Sequence, residues 1–165
     1  IHNLRKSFGQ NPVLNGIEID AAQGEFLVLL GASGCGKSTL LHCVAGLEPI
    51  TSGEIFIKGK AVQDLLPADR NVAMVFQNYA LYPTMTVARN ITFGLECSGA
   101  SKLEQRDALQ RISRLLKIQD LLDRKPHQLS GGQRQRVAVA SALAPVARWT
   151  AMPAIGWPSS VVEVA

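Results

Sequence analysis

The segment at residues 31–39, Gly-Ala-Ser-Gly-Cys-Gly-Lys-Ser-Thr, most constrains what this chain can fold into. It matches the spacing GxxxxGK[ST] in full, between an apolar run at residues 25–30 and a run typical of a helix at residues 40–46. We read the apolar run as a strand buried on both faces. Strand, glycine-rich loop and helix in this order form a phosphate cradle. The alternative, a glycine-rich turn that binds nothing, is disfavoured because the complete motif stands in the required context.

Each residue type in this segment has a physical reason to be there. Gly31, Gly34 and Gly36 allow backbone conformations closed to other residues, so that successive amides turn toward phosphate oxygens. Lys37 can place its ammonium between β- and γ-phosphates, and Ser38 can offer its hydroxyl to Mg²⁺. A helix beginning near Lys37 presents the positive end of its dipole to an anion. The expected phosphate-binding set is Gly31, Ser33, Gly34, Cys35, Gly36, Lys37, Ser38 and Thr39.

Composition bounds the remaining possibilities. With 165 residues, 47% hydrophobic and 18% charged, the chain is sized for one globular domain, and no apolar run approaches the length of a membrane span. The chain begins without Met and without a signal peptide, so we expect its beginning to be cut.

Its three cysteines form no CxxC pair, which favours reduced thiols in cytoplasm over a disulfide frame or zinc site. A net charge of +4 with only 5% aromatic residues argues against nucleic acid as a partner and favours a solvated basic face or one near anionic lipid.

The flanking segments read as short strands. Residues 4–9 and 13–20 alternate as two strands joined by a turn around Asn11 and Pro12. Phe8, in the first of them, could stack on adenine, although a core position is the commoner role of a strand Phe. Residues 54–62 read as a hairpin after a break at residues 51–53. Residues 72–76 read as a buried strand ending at Gln77, at the strand end where doubly wound sheets place ligand contacts; by itself Gln77 would be read as an ordinary loop residue.

Residues 87–129 change to helices with polar faces. Ser101 and Glu104 have capping-box spacing, and a shorter helical piece ends before Pro126. We read the apolar stripe of the longer helix as core packing: Leu103, Leu109, Ile112, Leu115 and Leu116.

Another helix is predicted to begin at residues 129–133. Ser130 and Gln133 again have capping-box spacing, with Gly131 and Gly132 between them. The bare amides and glycines at this tip suit an anion. A helix start with a flexible cap is the alternative, and it would be preferred if the segment stood alone.

Taken in order, separate segments from about residue 4 to residue 143 resemble the nucleotide-binding subunit of ABC transporters. Residues 31–39 resemble its Walker A loop, Gln77 its Q-loop glutamine, residues 129–133 its signature motif, and Phe8 its adenine-stacking aromatic. Residues 74–83 and 121–126 are similar to importers of the maltose and glycerol-3-phosphate type.

This resemblance implies an α/β fold, a P-loop NTPase (RecA-like) core with an N-terminal antiparallel β portion and a helical subdomain. The implied segments are 1–86, 87–129, 130–144 and a divergent tail at 145–165. The implied ligands are ATP and Mg²⁺, with Ser38 and Gln77 at the metal and Lys37 and Gln77 in catalysis. In the family two copies close on ATP, so Ser130, Gly131, Gly132 and Gln133 would complete the second copy's site.

The resemblance also implies partners and a place in the cell. Membrane permease subunits would dock near residues 77–83 and the helical subdomain. The chain would then lie peripherally on the cytoplasmic face of the inner membrane.

The sequence departs from the family after about Leu143. The family continues with a strand ending in Asp and Glu, then a switch His, but this chain has no Asp after Asp123 and no His after His127. Pro153 and Ala154 stand where the acidic pair is expected, and Glu163 has no Asp before it. We expect a core sheet that is incomplete at this end, from a frameshift near Ala144 or a divergent tail. Three functions stay open: an importer ATPase, a module that binds nucleotide without hydrolysis, and a non-functional remnant.

Overall fold

The computed structural model describes residues 1–147 and 161–163, and its backbone contacts separate two compact units, Ile1–Val72 and Ala73–Ala165. The four-segment division expected from the sequence stays a prediction. Within the described residues, no helix is both long and apolar enough to cross a membrane.

The first unit is built on an antiparallel sheet of three strands in the order β2-β1-β3. Strand β1 spans His2–Phe8, β2 spans Asn11–Ile17, and β3 spans Ser52–Glu54. The turn joining β1 and β2 was expected around Asn11 and Pro12, but it lies at Gly9 and Gln10, where Gly9 has a φ of 59°. Pro12 instead lies inside β2, opposite Ser7, which an edge strand tolerates because one row of its amides faces away from the sheet.

A second hairpin, one α-helix and a short 3₁₀ helix at Pro67–Asp69 complete the first unit. Strands β4 (Phe56–Ile57) and β5 (Lys60–Ala61) pair through Lys58 and Gly59, both with positive φ, which confirms the predicted hairpin. The break expected at residues 51–53 is wrong in part, because Ser52–Glu54 pairs with β1. Helix α1 spans Lys37–Ala45 and ends at Gly46, which has a φ of 80°. The core of this unit consists of Leu4, Leu14, Leu40, Cys43, Ile55 and Val62.

The buried strand predicted at residues 25–30 is absent from the described structure. This segment is irregular, and Phe26 and Leu30 are 90% and 89% exposed, whereas Leu29 packs partly against the core. The prediction was wrong because an apolar run becomes a strand only when a neighbouring strand takes up its backbone hydrogen bonds. Among the described residues no strand pairs with this segment.

The described residues of the second unit form a short parallel pair of strands, three α-helices and two short 3₁₀ helices. Strand β6 (Ala73–Val75) pairs with β7 (Val161–Glu163), and the longer helices are α2 (Val87–Cys97), α3 (Lys102–Leu115) and α4 (Gly131–Ala147). Two 3₁₀ helices, Gln119–Leu121 and Pro126–Gln128, connect α3 to α4. The apolar side chains of its core that are larger than alanine are Val87, Ile91, Leu95, Ile112, Ile118, Leu121, Leu129, Val137 and Leu143.

The local helix signals are confirmed. Ser101 caps α3 by accepting from the Glu104 amide at 3.2 Å, and the Glu104 carboxylate accepts from the Ser101 amide at 2.7 Å. The predicted apolar stripe of α3 is only partly correct, because Leu103 and Leu115 are 69% and 51% exposed. Leu103 lies in the first turn beside the exposed capping residues, so the helix turns it toward solvent.

The described part of the tail is small. Pro153 and Ala154, expected at the position of the family's acidic pair, lie outside the described residues. Glu163 is described only as part of β7, in register with Val75.

Candidate functional site

The loop at residues 31–36 leads directly into the N-terminus of α1. Gly36 caps the helix with a φ of 94°, and its carbonyl accepts from the Leu40 amide at 2.9 Å. The amides of the first helical residues therefore have no acceptor within the helix. In α1, which the structure describes in full, the first turn carries no acidic side chain to offset the positive end of the dipole.

Lys37 folds back over this loop. Its Nζ donates to the carbonyls of Gly31 at 2.7 Å and Ala32 at 3.0 Å. The same ammonium lies 3.7 Å from the Sγ of Cys35. A cation thus lies beside the loop that precedes the exposed helix amides, which is the arrangement that a polyphosphate requires.

The glycines of the loop fit a phosphate cradle. Gly34 has a φ of 81°, which residues with a Cβ rarely adopt. A Cβ at Gly31 would lie 2.6 Å from the Cys35 Sγ, and one at Gly36 would lie 3.0 Å from Leu14 Cδ2. A larger residue at Gly31 or Gly36 would push the loop open. The glycines keep the loop in a tight conformation, which fits the phosphates of a nucleotide.

The β1–β2 hairpin packs against the same loop. The closest atoms to a Cβ at Gly36 belong to Val13 and Leu14 of β2, and Leu14 pairs with Lys6 of β1. Phe8 follows two residues further along β1, and the rise per residue of a strand puts its backbone about 7 Å from that of Lys6. Phe8 is 48% exposed, so the core role favoured for it by strand statistics is wrong.

Lys6 was missed in the sequence, although it carries the most unusual contacts of β1. Its side chain is 7% exposed, and its Nζ lies 3.2 Å from the Glu48 carboxylate and 2.8 Å from the Pro49 carbonyl. The same Nζ lies over the Phe8 ring, 4.5 Å from the ring centroid. A detectable signal existed, because the two-residue period of a strand predicts that Lys6 lies on the same face as the apolar Leu4.

Gln77 lies in the second unit, exposed in a turn that follows β6. The turn is closed by the Tyr79 amide, which donates to the Phe76 carbonyl at 2.8 Å. Tyr79 and Ala80 both have positive φ, so this loop holds a backbone conformation that L-residues rarely adopt.

Asn90 of α2, which sequence reasoning also missed, fixes the end of that loop. Its buried side chain accepts from the Tyr82 amide at 2.8 Å, and its amide nitrogen shares two N–H donors among the carbonyls of Tyr82, Met85 and Thr86 at 3.2, 3.3 and 3.0 Å. The Tyr82 ring also packs edge-on against Phe93 with centroids 4.9 Å apart. The signal was an Asn inside the apolar stripe of a helix.

The predicted capping box at the start of α4 is confirmed. The Ser130 amide donates to the Gln133 side chain at 2.8 Å, and the Gln133 amide donates to the Ser130 hydroxyl at 3.3 Å. Gly131 and Gly132 are exposed, and a Cβ at either would meet none of the described atoms within 4 Å. Packing within the described chain therefore does not require glycine at these positions.

Phe8 and the phosphate loop both lie in the first unit, where Val13 and Leu14 of β2 pack against Gly36 of the loop. Gln77 and residues 130–133 lie in the second unit, each in the local geometry expected of it. Among the described residues, no group of three or more His, Cys, Asp or Glu side chains forms a metal cluster. Ser38 is exposed in the first turn of α1, so its hydroxyl is accessible to a cation beside the phosphates.

Comparison with known proteins identifies the family. The family model described as "ABC transporter" matches residues 14–149. The chain belongs to the ABC transporter family. This ABC transporter chain is 53% identical over 143 residues to the sn-glycerol-3-phosphate import ATP-binding protein UgpC 2 of Agrobacterium fabrum, covering 87% of the chain and 38% of that relative. It is 54% identical over 143 residues to UgpC of Cereibacter sphaeroides, covering 87% of the chain and 41% of that relative.

A solved structure shows the fold. The ATP-binding cassette MJ0796, described as dimeric in a post-hydrolysis state bound to ADP and Pi, matches with a TM-score of 0.75 at 32% identity, over 87% of this chain and 68% of that one. The predicted P-loop NTPase fold with an incomplete sheet is therefore confirmed. The chain spans 38% and 41% of the length of the two UgpC relatives.

Proposed function

We propose that this chain binds Mg-ATP and forms the nucleotide-binding part of an ABC importer subunit. The observation that carries the proposal is the geometry of residues 31–37, where the Lys37 ammonium lies on the loop carbonyls beside the bare N-terminus of α1. Relatives named as sn-glycerol-3-phosphate import proteins support a transport role with glycerol phosphate as solute. The resemblance of residues 74–83 and 121–126 to maltose-type importers adds a sugar as the other proposed solute.

Each site residue has a role in this proposal. The loop amides and Lys37 hold the phosphates, the Ser38 hydroxyl and the Gln77 side chain bind Mg²⁺, and Phe8 stacks on adenine. Bound Mg²⁺ would neutralise phosphate charge. Gln77 would also orient the attacking water. Residues 31, 33–36 and 39 complete the contacts to the nucleotide.

The second half of the site comes from another copy of the chain in this proposal. Gly131 and Gly132 support this dimeric arrangement. A Cβ at either position meets no described atom, so packing does not explain the two glycines. Close approach of a ligand to the helix start is a physical reason for them. The neighbour MJ0796 is dimeric, which supports a homodimer in which Ser130, Gly131, Gly132 and Gln133 reach the other copy's nucleotide.

A membrane permease is the proposed partner of the loop at residues 77–83. Asn90 ties the end of this loop to α2, which makes a firm surface of loop and helical subdomain together. Docking there would place the chain at the cytoplasmic face of the inner membrane as a peripheral subunit. Nucleic acid is not a proposed partner.

Binding without hydrolysis is the second candidate for this chain taken alone. It is favoured by one observation, that residues 144–165 contain Glu163 as their one acidic residue and no Asp. Phosphoryl transfer needs a group that positions water and one that holds the metal, and losing one such group typically slows turnover about a hundredfold or more.

Calorimetric titration with Mg-ATP and a phosphate-release assay test both candidates. We expect saturable binding, with Lys37→Ala weakening it by about a hundredfold because a phosphate-bound cation is lost. Lys60→Ala, which removes an exposed lysine of the same unit, is the matched control and should bind normally. Turnover that disappears in Lys37→Ala supports the ATPase, and binding without turnover supports the binding module. Absence of Mg-ATP binding in the unsubstituted chain would contradict both the ATPase and the binding module.

A further inference from the structure

Lys6 and Phe8 form a cation–aromatic pair, in which the buried ammonium of Lys6 lies against the ring of the exposed Phe8. The Nζ of Lys6 is 4.5 Å from the centroid of the Phe8 ring, yet the Phe8 residue as a whole is 48% exposed. Lys6 therefore lies over one face of the Phe8 ring, while nearly half of the Phe8 residue stays accessible to solvent.

The ammonium of Lys6 is held at its other contacts. It bonds the Pro49 carbonyl at 2.8 Å and pairs with the Glu48 carboxylate at 3.2 Å. An ammonium has three N–H donors, so these two partners leave one directed elsewhere. The Lys6 side chain is 7% exposed and bonded to two partners, so its position is fixed. The position of the Phe8 ring is therefore set by Lys6, and the reverse does not hold.

These anchors belong to the segment that follows α1. Gly46 caps the end of α1, and Glu48 and Pro49 follow it after one residue, Leu47. The helix that begins at the phosphate loop is thus connected at its other end to the cation beneath Phe8. The aromatic ring and the phosphate loop are held by one continuous piece of the first unit.

We propose that Lys6 is a positioning residue for base recognition: it fixes the Phe8 ring with one face outward and so sets the affinity for the base of a bound purine nucleotide. This inference rests on the proposed nucleotide-binding function. A cation on one ring face draws electron density from the other, which favours stacking by an electron-rich purine. Lys6 itself need not touch the nucleotide.

The test separates the base from the phosphates. Mg-ATP and Mg-tripolyphosphate are titrated into the full chain and into Lys6→Met, Phe8→Ala and the double variant. We expect Lys6→Met to weaken Mg-ATP binding about fivefold, the size of a cation–π contact, and to leave tripolyphosphate binding unchanged. Phe8→Ala should weaken Mg-ATP about tenfold, and adding Lys6→Met to it should cause no further loss.

Two controls keep the outcome decisive. Lys60→Met removes an exposed lysine of the same unit and should leave the ratio of the two affinities unchanged. If Lys6→Met does not fold, Glu48→Gln loosens the same anchor at a partly exposed position and should shift that ratio in the same direction.

Each failure has a distinct meaning. Equal losses for both ligands in Lys6→Met would show a general charge effect and overturn the inference. An unchanged ratio of the Mg-ATP and Mg-tripolyphosphate affinities in a folded Lys6→Met variant would also overturn the inference. The same holds for Glu48→Gln if that variant is used in place of Lys6→Met, and for Phe8→Ala. If the unsubstituted chain binds neither ligand, the proposed function itself fails.

Discussion

The guanidinium of Arg70 occupies the space that a side chain at Gly46 would need, since a Cβ at Gly46 would lie 2.5 Å from the Arg70 Nε. Arg70 is buried and donates to the carbonyls of Cys43 at 2.7 Å and Val44 at 3.1 Å, in the last turns of α1. Its other donors bond two further backbone carbonyls at 2.8 and 3.0 Å. The helix that begins at the phosphate loop is therefore closed at its other end by a cation, which suits the negative end of its dipole.

Gly46→Ala should destabilise the first unit more than a positive φ alone explains. We expect a loss of about 3 kcal/mol, because alanine is strained at a φ of 80° and also displaces Arg70 from its carbonyls. Gly59→Ala is the matched control, with a φ of 74° and nothing within 4 Å of its Cβ, and should cost about 1 kcal/mol. Urea unfolding measures both, and equal losses would contradict the role of Arg70.

Cys43 should make the folded chain less stable in alkali. Burial raises the pKa of its thiol above the ordinary value of 9.0, with Lys6 and Arg70 acting in the opposite direction. Above the ordinary pKa the unfolded chain has lost this proton while the folded chain retains it, so the free energy of unfolding falls as the pH rises through that range. Below pH 9.0 this contribution is present in full and constant.

The measurement is the difference in unfolding free energy between the unsubstituted chain and Cys43→Ala from pH 7 to pH 10. The alanine variant pays a constant cavity penalty of about 1 kcal/mol, and the gap between the two proteins should narrow in the alkaline range. Exposed Cys97→Ala serves as the control and should show no such narrowing. A constant gap for Cys43→Ala would argue against a buried, protonated thiol.

Sequence reasoning worked where a few neighbouring residues decide the structure. The capping boxes at Ser101 and Ser130 form because their partners are three residues away, and the hairpin at Lys58 forms because its turn needs only local positive φ. The strand predicted at residues 25–30 failed because a strand needs a partner that no local pattern supplies. Lys6 and Asn90 escaped notice because their partners come from other segments of the chain, or from a loop whose fold had to be known first.

The exposed segment at residues 25–30 should bind apolar dyes. Phe26 and Leu30 are 90% and 89% exposed, and clustered apolar side chains of this kind attract amphipathic ligands. The double substitution Phe26→Ser and Leu30→Ser should lower the fluorescence of bound anilinonaphthalene sulfonate and change the unfolding free energy by less than about 0.5 kcal/mol. Leu103→Ser, at an isolated exposed leucine of α3, is the control and should leave the fluorescence unchanged. A large loss of stability in the double variant would instead show that the segment is buried.

Alkylation of Cys35 reports directly on the phosphate loop. Cys35 and Cys97 are exposed and Cys43 is buried, so iodoacetamide should label the first two well before the third. Because the Cys35 Sγ lies 3.7 Å from the Lys37 Nζ, phosphates held by that ammonium should cover the thiol. Mg-ATP at ten times its Kd should therefore slow labelling of Cys35 about tenfold, in proportion to the fraction of chain left unliganded. Peptide mass spectrometry follows both cysteines in one sample, with Cys97 as the internal control, and a Cys35 rate that ATP does not change would place the nucleotide elsewhere.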